Sequence, residues 1–458
     1  MVEKINRLIV FVKIRQILTI CRHFTLPVLI FSFCILSFNA AALSFISDDE
    51  SESLVQNIVK PIFQTADIAF NPNKILIAND STLNAFVSDG NYLVIHSGTL
   101  MNADNVNELN GILAHEAGHI AGGHIVRQKI RIGQAQIASV ASLIAAGAAA
   151  AASGNAEAAL AVMLGSQSSL LNSITAYQMQ EERSADESAV KYLKQLNQSS
   201  LGLKNFMQKS ARTNRLNGYS DIPYFRTHPL NSERVAFFNQ AVKNNNGTTT
   251  SPFDKQFKMV KAKLSAFLLP TEQGFKLYPL SDTSAPAQYA RAILYYRQNN
   301  LPQALKNIDS LIAKQPNNPF FYELKGQFLF EKGKLSEALT AYQQALSLRP
   351  DSAEIVFGWA QAALESPHNL DELKQIIAAL NRSILKKEKA DSWVLLARAY
   401  DEAGRKADAL YASARFNMML ENYNIAEKQI MQAEKNNPSP ELKLKLADLK
   451  SLLNSLRQ

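Results

Sequence analysis

The fold of this chain is organised by the stretch His115-Glu116-Ala117-Gly118-His119. Residues four apart in an α-helix lie on the same face, so His115 and His119 can both bind one zinc ion. Glu116, one step round the helix, can reach a water on that ion and act as the general base. The stretch therefore predicts a zinc hydrolase site on a helix.

A catalytic zinc site needs a third protein ligand besides two histidines. Glu182 and Asp186 lie four residues apart in a helical stretch over residues 178–196, so they share one face. We expect Glu182 to bind the zinc and Asp186 to support catalysis by accepting the outer N–H of a zinc histidine. Ala185 is small enough to let this helix approach the first one. The same spacing also occurs on solvated charged faces, and that alternative stays open.

Three further histidines are weaker candidates for the metal. In an uninterrupted helix over residues 108–127, His124 points about 100° away from the position that a third ligand would need. We therefore interpret it as a surface residue or as a partner of a zinc histidine. His96 and His368 are interpreted as structural or surface residues.

Composition limits the functional classes. A chain of 458 residues with 47% hydrophobic residues is long enough for two or three folded domains. The net charge is +8, and half of it lies in residues 1–42, which carry five cations and one anion. The remainder is too weakly basic to indicate nucleic acid as a partner.

The first residues have the pattern of an export signal. A basic region precedes an apolar run over residues 24–38 and an A-x-A cleavage site at residues 40–42. We predict a signal peptide over residues 1–42 and a periplasmic destination; an uncleaved signal anchor is the alternative. Cys21 and Cys34 both lie in this segment, so the mature protein would have no disulfide and no thiolate metal ligand.

The rest of the chain divides into three parts. Short β-type runs predict a small sheet before the motif helix, over residues 74–78, 85–87 and 92–96. The polar, breaker-rich residues 244–252 predict a boundary. The expected domains are a zincin-type metallopeptidase domain, a linker with a connecting helix, and a repeat domain, over residues 43–243, 244–285 and 286–458.

Residues 132–156 carry no charge and are rich in Ala, Gly and Ser. As a helix they would be long enough to cross a bilayer, but they contain few large apolar side chains. We expect a packed or mobile loop over the active site rather than a transmembrane helix. A lid that touches substrate or makes peripheral membrane contact is the intermediate interpretation.

The C-terminal part is repetitive. Ala304, Leu311 and Pro316 recur as Ala338, Ala345 and Pro350, all displaced by the same step along the chain. That step is the period of a tetratricopeptide repeat, about 34 residues. The phase drifts around residues 366–369 and recovers at Ala397, slightly more than one period after Ala360. The predicted fold is therefore mainly α, with a small sheet in the first domain and an α-solenoid in the second. An unrelated helical bundle is the alternative.

The two active-site motifs together resemble those of a known family. His115-Glu116-x-x-His119 followed by Glu182-x-x-Ala185-Asp186 is similar to the gluzincin metallopeptidases related to HtpX and the CAAX prenyl endopeptidases. With an export signal and C-terminal repeats, the resemblance narrows to the BepA-type periplasmic zinc metalloproteases. Other similar segments are Asn84-Ala85-Phe86, the turn with Gly98, Arg226-Thr227-His228-Pro229 and Glu233-Arg234.

The resemblance implies a latent enzyme. His228 would occupy the open position of the zinc and hold the site inactive, although a histidine before a proline is usually only a loop residue. It also implies a role in outer-membrane protein assembly and in the degradation of stalled substrates, with the repeats contacting those proteins and their assembly machinery.

Substrate contacts are predicted at one strand and one loop. Residues 84–87, with Asn84, Ala85 and Phe86, are interpreted as an edge strand that aligns an extended peptide. Arg226 is a candidate for positioning the loop or stabilising an oxyanion, and an ordinary loop cation is the alternative. The hypothesis is an exported zinc endopeptidase that hydrolyses misfolded or stalled envelope proteins. The rival hypothesis is a chaperone or scaffold in which proteolysis stays latent, and the intact Glu116 favours the enzyme.

Overall fold

The structure, a computed structural model, describes part of the chain: residues 44–153, 156–216, 224, 228–245 and 247–457. The predicted signal peptide over residues 1–42 lies outside these residues, together with both cysteines, and so does Arg226. Within the described residues the fold is mainly helical, with a small sheet near the start and helical pairs in the second half. The predicted fold class is confirmed.

A four-stranded sheet lies at the start of the described chain. Its strands are β1 (Phe45–Ile46), β2 (Ile75–Ala78), β3 (Ala85–Ser88) and β4 (Tyr92–His96). Their spatial order is β1-β2-β4-β3, with β4 parallel to β2 and antiparallel to β3. All residues of β4 except the first are buried, as expected for an inner strand. Among the described residues β3 is an edge strand, so one side of its backbone is open to a further strand.

The helices of the first domain surround one central helix. They are α1 (Asp49–Thr65), α2 (Ser97–Asn102), α3 (Val106–Ala121), α4 (His124–Ser153), α5 (Ala156–Gln195), α6 (Leu201–Leu216) and α7 (Ser232–Asn244). A 3₁₀ turn over Pro72–Lys74 precedes β2. The side chain of Asn105 caps α3 by accepting a hydrogen bond of 3.0 Å from the backbone N–H of Glu108. Residues 106–120 of α3 are all buried, so its motif residues lie inside the domain.

The motif helix is shorter than the sequence predicts. A single helix was expected over residues 108–127, but α3 ends at Ala121 and α4 begins at His124. Between them Gly123 has a φ of +64°, a left-handed conformation that favours glycine and ends a helix. The chain therefore changes direction immediately after the second motif histidine.

The prediction of a loop over residues 132–156 is wrong. Residues 132–153 belong to α4, which packs against α5. The ion pair between Arg127 and Glu181 and the stacking of Arg131 on Tyr177 place the two helices antiparallel. Alanine is the strongest helix former, so the Ala-rich composition favours a helix where packing against a second helix is available. Among the described helices none is long and apolar enough to cross a membrane.

The second half consists of helices that follow one another in pairs. They are α8 (Asp254–Leu268), α9 (Thr271–Leu277), α10 (Ala285–Arg297), α11 (Leu301–Lys314), α12 (Pro319–Phe330), α13 (Leu335–Leu348), α14 (Ala353–Leu364), α15 (Leu370–Lys386), α16 (Ala390–Glu402), α17 (Lys406–Met419), α18 (Tyr423–Lys435) and α19 (Pro440–Leu456). From α10 onward the pairs begin at Ala285, Pro319, Ala353, Ala390 and Tyr423. These starts follow one another at about 34 residues, so the predicted period is confirmed. The longest step, from Ala353 to Ala390, contains the predicted insertion at residues 366–369.

Helix α8 belongs to two cores. Phe257 and Val260 pack into the core around α3, whereas Met259 and Ala262 pack into the core of the first helical pairs. The same helix carries Lys263, whose buried ammonium pairs with two carboxylates near the start of α1, at 2.5 Å from Asp48 and 3.3 Å from Glu50. The connection between the two domains is therefore a packed helix.

Candidate metal centre

A close approach of two helices assembles the centre. A Cβ atom on Gly118 of α3 would lie 2.9 Å from the Cα atom of Ala185 in α5, closer than side chains tolerate. Glycine at the fourth position of the motif and the buried alanine thus let the two backbones nearly touch. This contact carries Glu182, one turn before Ala185, to the motif histidines.

Four buried side chains converge on one point: His115, His119, Glu182 and His228. The Nε2 atoms of His115 and His119 are 3.1 Å apart, and Glu182 Oε1 lies 3.3 Å from Nε2 of His119. Nδ1 of His228 lies 3.3 Å from Nε2 of His115 and 2.9 Å from Oε1 of Glu182. One ligand atom from each residue can be chosen so that all four lie within 4.8 Å of one another. The structure therefore brings together the three ligands expected from the motifs and the histidine expected from the resemblance.

These distances fit a tetrahedral metal site. With bonds of about 2.0–2.1 Å to nitrogen and oxygen, neighbouring ligand atoms of a tetrahedron are about 3.3–3.4 Å apart. Nitrogen and oxygen donors at such spacing, buried away from water, are poorly placed for one another unless a cation or a proton lies between them. The donor set of three imidazoles and one carboxylate is suited to zinc and to several other divalent transition metals.

Asp186 orients the first histidine. Its Oδ1 atom lies 2.9 Å from Nδ1 of His115, so Nδ1 donates to the carboxylate and the Nε2 lone pair faces the centre. Burial by itself would lower the pKa of His115, but Asp186 and Glu182 raise that pKa to about 10. The field of these two carboxylates thus favours a positive charge at the centre.

His124 orients the second histidine. It is buried, and its Nδ1 atom lies 2.8 Å from Nδ1 of His119. Burial lowers the pKa of His124 to about 4, so its ring is neutral at pH 7 and its Nδ1 atom can accept the proton of His119 Nδ1. Of the two interpretations from the sequence, the structure supports the partner of a metal-binding histidine. The contact arises because the helix breaks at Gly123, which an uninterrupted helix would not allow.

Arg234, on α7, is a site residue that the motifs did not identify. Its guanidinium binds both oxygens of Asp186, at 2.7 and 2.9 Å, and lies 2.9 Å from Oε2 of Glu182. It also donates a hydrogen bond of 2.8 Å to the carbonyl of Pro229, next to His228. The arginine therefore joins His228 and Pro229, called the His228 segment below, to two carboxylates of the centre. The signal in the sequence was the Glu233-Arg234 segment, which belongs to the family resemblance but had no assigned role.

Tyr224 is a second residue that the motifs missed. Its ring is buried and stacks on His228, with centroids 4.6 Å apart and an interplanar angle of 29°. On its other side it meets Phe206 of α6 edge to face, at 5.2 Å. Stacking on one face and the carbonyl contacts of Arg234 fix the position of His228.

Glu116 lies buried beside the four converging side chains. The side chain is fully buried, and neither carboxylate oxygen has a hydrogen-bond partner among the described residues. Its Oε1 atom lies 3.5 Å from Nε2 of His228. Burial raises the pKa of Glu116, which makes the carboxylate a stronger base near neutral pH.

A cavity of about 220 Å³ opens beside the centre. Its lining residues come from β3, α3, α4, α5 and the His228 segment: Phe86, Val87, Glu116, His119, His124, Ile125, Gln128, Gln178, Glu181, Glu182 and His228. The edge strand thus forms one wall, and the first turns of α4 with the facing part of α5 form the other. The cavity therefore lies between a free strand edge and the metal donors.

The residues predicted to bind substrate lie at different places. Phe86 lines the cavity, whereas the side chain of Ala85 is buried in the core. Asn84 is buried, and its backbone exchanges hydrogen bonds of 2.8 and 2.7 Å with the hydroxyl of Thr99. Arg226 lies outside the described residues. Substrate binding by these four residues stays a prediction.

The two remaining histidines are separate from the centre. His96 is buried with Nδ1 2.9 Å from the hydroxyl of Thr82. Nε2 of His368 lies 2.7 Å from a carboxylate oxygen of Glu402 in the repeat domain. Both have structural contacts, as the sequence indicated.

Comparison with known proteins identifies the class. Residues 49–242 match peptidase family M48, and residues 289–353 match the tetratricopeptide repeat. The first match contains the whole candidate centre, and the second covers the first two helical pairs. The chain therefore carries an M48 peptidase domain followed by tetratricopeptide repeats, and it is a metalloprotease.

The chain is also similar to named proteases over most of its length. It is 23% identical to the beta-barrel assembly-enhancing protease of Escherichia coli strain K12 over 379 residues, which are 81% of this chain and 76% of the relative. The protein of the same name from Yersinia pestis is 23% identical over 385 residues, covering 82% and 77%. Both alignments are too long to involve the peptidase domain alone, so they include part of the repeats.

Similarity to solved structures is weaker. The crystal structure of yeast Tom70 aligns with 87% of this chain and 74% of its own, at 13% identity and a TM-score of 0.35. A score this low does not establish a common overall fold. The class of the protein therefore rests on the sequence matches and on the centre itself.

Proposed function

We propose that the chain is a zinc-dependent endopeptidase of the bacterial periplasm that acts on outer-membrane proteins during their assembly and quality control. The observation that supports it best is the buried group of four candidate metal donors beside the carboxylate of Glu116, which accepts no hydrogen bond from the part of the chain that the structure describes. The export pattern of residues 1–42 supports the periplasm. The printed name of the relatives, beta-barrel assembly-enhancing protease, supports the substrate class.

In this proposal His115, His119 and Glu182 hold the zinc. A bound zinc ion acts as a Lewis acid towards the scissile carbonyl and makes a water more acidic. Glu116 accepts the proton of that water and returns it to the leaving amine. Asp186 and His124 keep the Nδ1 protons on the two motif histidines, so that their Nε2 atoms face the metal.

The edge strand β3 is proposed to align the substrate. An extended peptide can pair with the open edge of a sheet, and its backbone then lies in a fixed register. Phe86 and Val87 reach the cavity from this strand, so the paired peptide would pass the metal donors. Arg226 remains a candidate for the oxyanion or for positioning the loop.

The substrate class can be tested with two unfolded proteins. One is an outer-membrane β-barrel protein diluted from urea, and the other is a soluble periplasmic protein held unfolded at the same concentration. We expect preferential cleavage of the first by the zinc-loaded chain, loss of cleavage with a chelator, and recovery when zinc is restored. Equal cleavage rates would indicate general quality control. Binding without cleavage by a fully metal-loaded chain that lacks His228 would support the rival scaffold function.

His228 is proposed to keep the enzyme latent. Its two ring nitrogens face Glu182 on one side and Glu116 on the other, at 2.9 and 3.5 Å. The ring therefore fills the space that a water and a scissile carbonyl need. Substrate can enter only when the His228 segment leaves, which requires breaking the contacts of Tyr224 and Arg234.

Replacing His228 should activate the enzyme. We expect His228→Ala to raise the cleavage rate of an unfolded protein by roughly 10- to 100-fold, since hydrogen bonds to charged groups contribute about 1.5–3 kcal/mol. Metal content should stay at one ion per chain, because three ligands remain. His368→Ala, which removes a histidine from the repeat domain, is the matched control. Unchanged or reduced cleavage at full metal content would show that His228 is not inhibitory.

A further inference from the structure

Helix α4 carries an apolar stripe that faces water. Six large aliphatic side chains of this helix are more than half exposed. Leu143 points about 100° away from its neighbour Ile144, and the other five are Val126, Ile130, Ile137, Val140 and Ile144. At 100° per residue these positions fall within an arc of about 80°, and they extend over about 27 Å of helix. Ile137 is 72% exposed and Ile144 is 69% exposed, so contact with α5 covers little of either. A continuous exposed stripe of this kind marks an interaction surface.

The part of the two helices that lies away from the metal centre is almost uncharged. Residues 132–180, which make up most of α4 and the first part of α5, contain a single charged residue, Glu157. A helical pair surrounded by water normally carries many Lys and Glu residues on its outer faces. The outer positions here are Ala, Ser and Gln besides the aliphatic residues. The α4–α5 hairpin, residues 124–195 without 154–155, is therefore depleted of charge over residues 132–180, as is typical of an element that is not fully solvated.

Charge returns at the base of the α4–α5 hairpin. Arg127, Lys129 and Arg131 follow one another in the first turns of α4, and the first two are about half exposed or more. Both arginines share the carboxylate of Glu181, and Lys129 pairs with Asp89 at the surface, so the three cations exceed their two partners by one charge. The guanidinium of Arg131 lies 3.7 Å from the ring centroid of Tyr177. Cations and an aromatic ring at the edge of an apolar region are typical of the level of lipid phosphates and head groups.

We propose that the α4–α5 hairpin docks on the surface of a phospholipid bilayer. The stripe from Val126 to Ile144 faces the acyl boundary, and the cations at the base contact the phosphates. The helices lie in the interface, since none of the described helices could cross the bilayer. This inference does not depend on the identity of the protease substrate.

A second helix is the main alternative occupant of the stripe. With Gly133, the stripe residues alternate in steps of four and three, which also suits packing against another helix. Helix pairs in water, however, keep charged residues beside the seam, and residues 132–180 of this hairpin contain only Glu157. The depletion of charge on both helices therefore favours lipid over a second copy of the chain.

Docking would place the active site near the membrane. Helix α4 begins at His124, which contacts the metal-binding His119. Gln128 and Gln178, near the base of the hairpin, line the cavity beside the centre. A polypeptide at the bilayer surface would thus reach the cavity without a long diffusive path.

A local probe tests the proposal in the full chain. Cys21 and Cys34 are replaced by serine, and an environment-sensitive nitrobenzoxadiazole dye is attached at Ile144→Cys. The matched control carries the dye at Leu385→Cys, a site on α15 that is 87% exposed. Vesicles contain phosphatidylethanolamine and phosphatidylglycerol, with or without a lipid that carries a doxyl quencher on its acyl chain. Because the probe is local, attachment of the chain by its first residues does not produce a signal.

We expect the dye at residue 144 to shift to the blue with vesicles and to lose emission with the quencher, while the dye at residue 385 does neither. Adding Ile137→Glu and Val140→Glu should remove both effects, and cleavage of a soluble unfolded protein should be unchanged. No shift and no quenching at residue 144 would overturn the proposal. So would a blue shift that needs no vesicles and rises with protein concentration, which indicates a second copy. The dye signal at residue 144 does not require proteolysis. A chain that binds vesicles but cleaves no protein would therefore contradict the proposed function and still support membrane docking.

Discussion

Glu116→Gln should abolish proteolysis and leave the metal in place. Glutamine has nearly the same shape but cannot accept a proton from water, and loss of a general base costs roughly 100- to 10,000-fold in rate. The metal should remain because Glu116 is not one of the converging donors. The measurement pairs initial cleavage rates of an unfolded protein with metal analysis by mass spectrometry.

The experiment is best made in a chain that also carries His228→Ala. That chain is expected to cleave faster, so a fall in the cleavage rate caused by Glu116→Gln can be measured over a wider range. Glu187→Gln is the matched control, because Glu187 lies on α5 and pairs with Arg183 at the surface. Full activity of the Glu116→Gln chain would assign proton transfer to another group. Loss of the metal would instead make Glu116 part of the binding site.

Glu182→Gln should remove the metal. An amide oxygen carries no charge and is a poor zinc ligand. Replacing a hydrogen-bond partner of a metal ligand lowers metal affinity by about 10- to 100-fold, so we expect replacing the ligand itself to lower it by at least about 100-fold. Activity falls with it. The change also removes one of the two carboxylates that pair with the guanidinium of Arg234. The other carboxylate, Asp186, remains in contact with it.

The neighbouring residue provides the control. Glu181→Gln removes the same charge one position earlier in α5, where the carboxylate pairs with Arg127 and Arg131. Its metal content should equal that of the unchanged chain. Circular dichroism of both variants distinguishes metal loss from unfolding. If the folded Glu182→Gln chain kept its metal, the third ligand would have to be a different residue.

Much of the centre could be predicted because it is built from local spacings. His115 and His119 share a face by helical periodicity alone, and so do Glu182 and Asp186. The repeats could be predicted because small residues and prolines recur in the sequence at the tetratricopeptide period. One side of the contact that joins the motifs was also predicted, since Ala185 was expected to let the helices approach. The structure adds that its counterpart on the motif helix is Gly118.

Other features had weak local signals. Residues 132–156 lack a polar face, so periodicity did not distinguish a packed helix from a loop, and pairing with α5 decided the outcome. An uninterrupted helix would point His124 away from the centre, but the helix ends at the left-handed Gly123, and this brings His124 to His119. Arg234 belongs to a segment of the family resemblance, but the sequence assigned it no role, and only the folded chain places its guanidinium between Asp186 and the carbonyl of Pro229.

The sequence by itself determined the residues of the centre and the architecture of the second domain. It gave two imidazoles and a neighbouring carboxylate on one helix, a pair of carboxylates on another helix, and a solenoid of helical repeats. These follow from spacings of a few residues, or from a period that repeats along the chain. Spacing left the place of His228 open, and the tertiary structure brings it to the centre, as the resemblance implied. Tertiary structure alone decided that Tyr224 and Arg234 contact the His228 segment, and that α4 and α5 form a hairpin with an exposed apolar stripe. The physical reason is that these contacts depend on packing between separate elements. His228 meets His115 and Glu182, which lie 113 and 46 positions away, and the energies depend on burial and charge balance that exist only after the chain has packed.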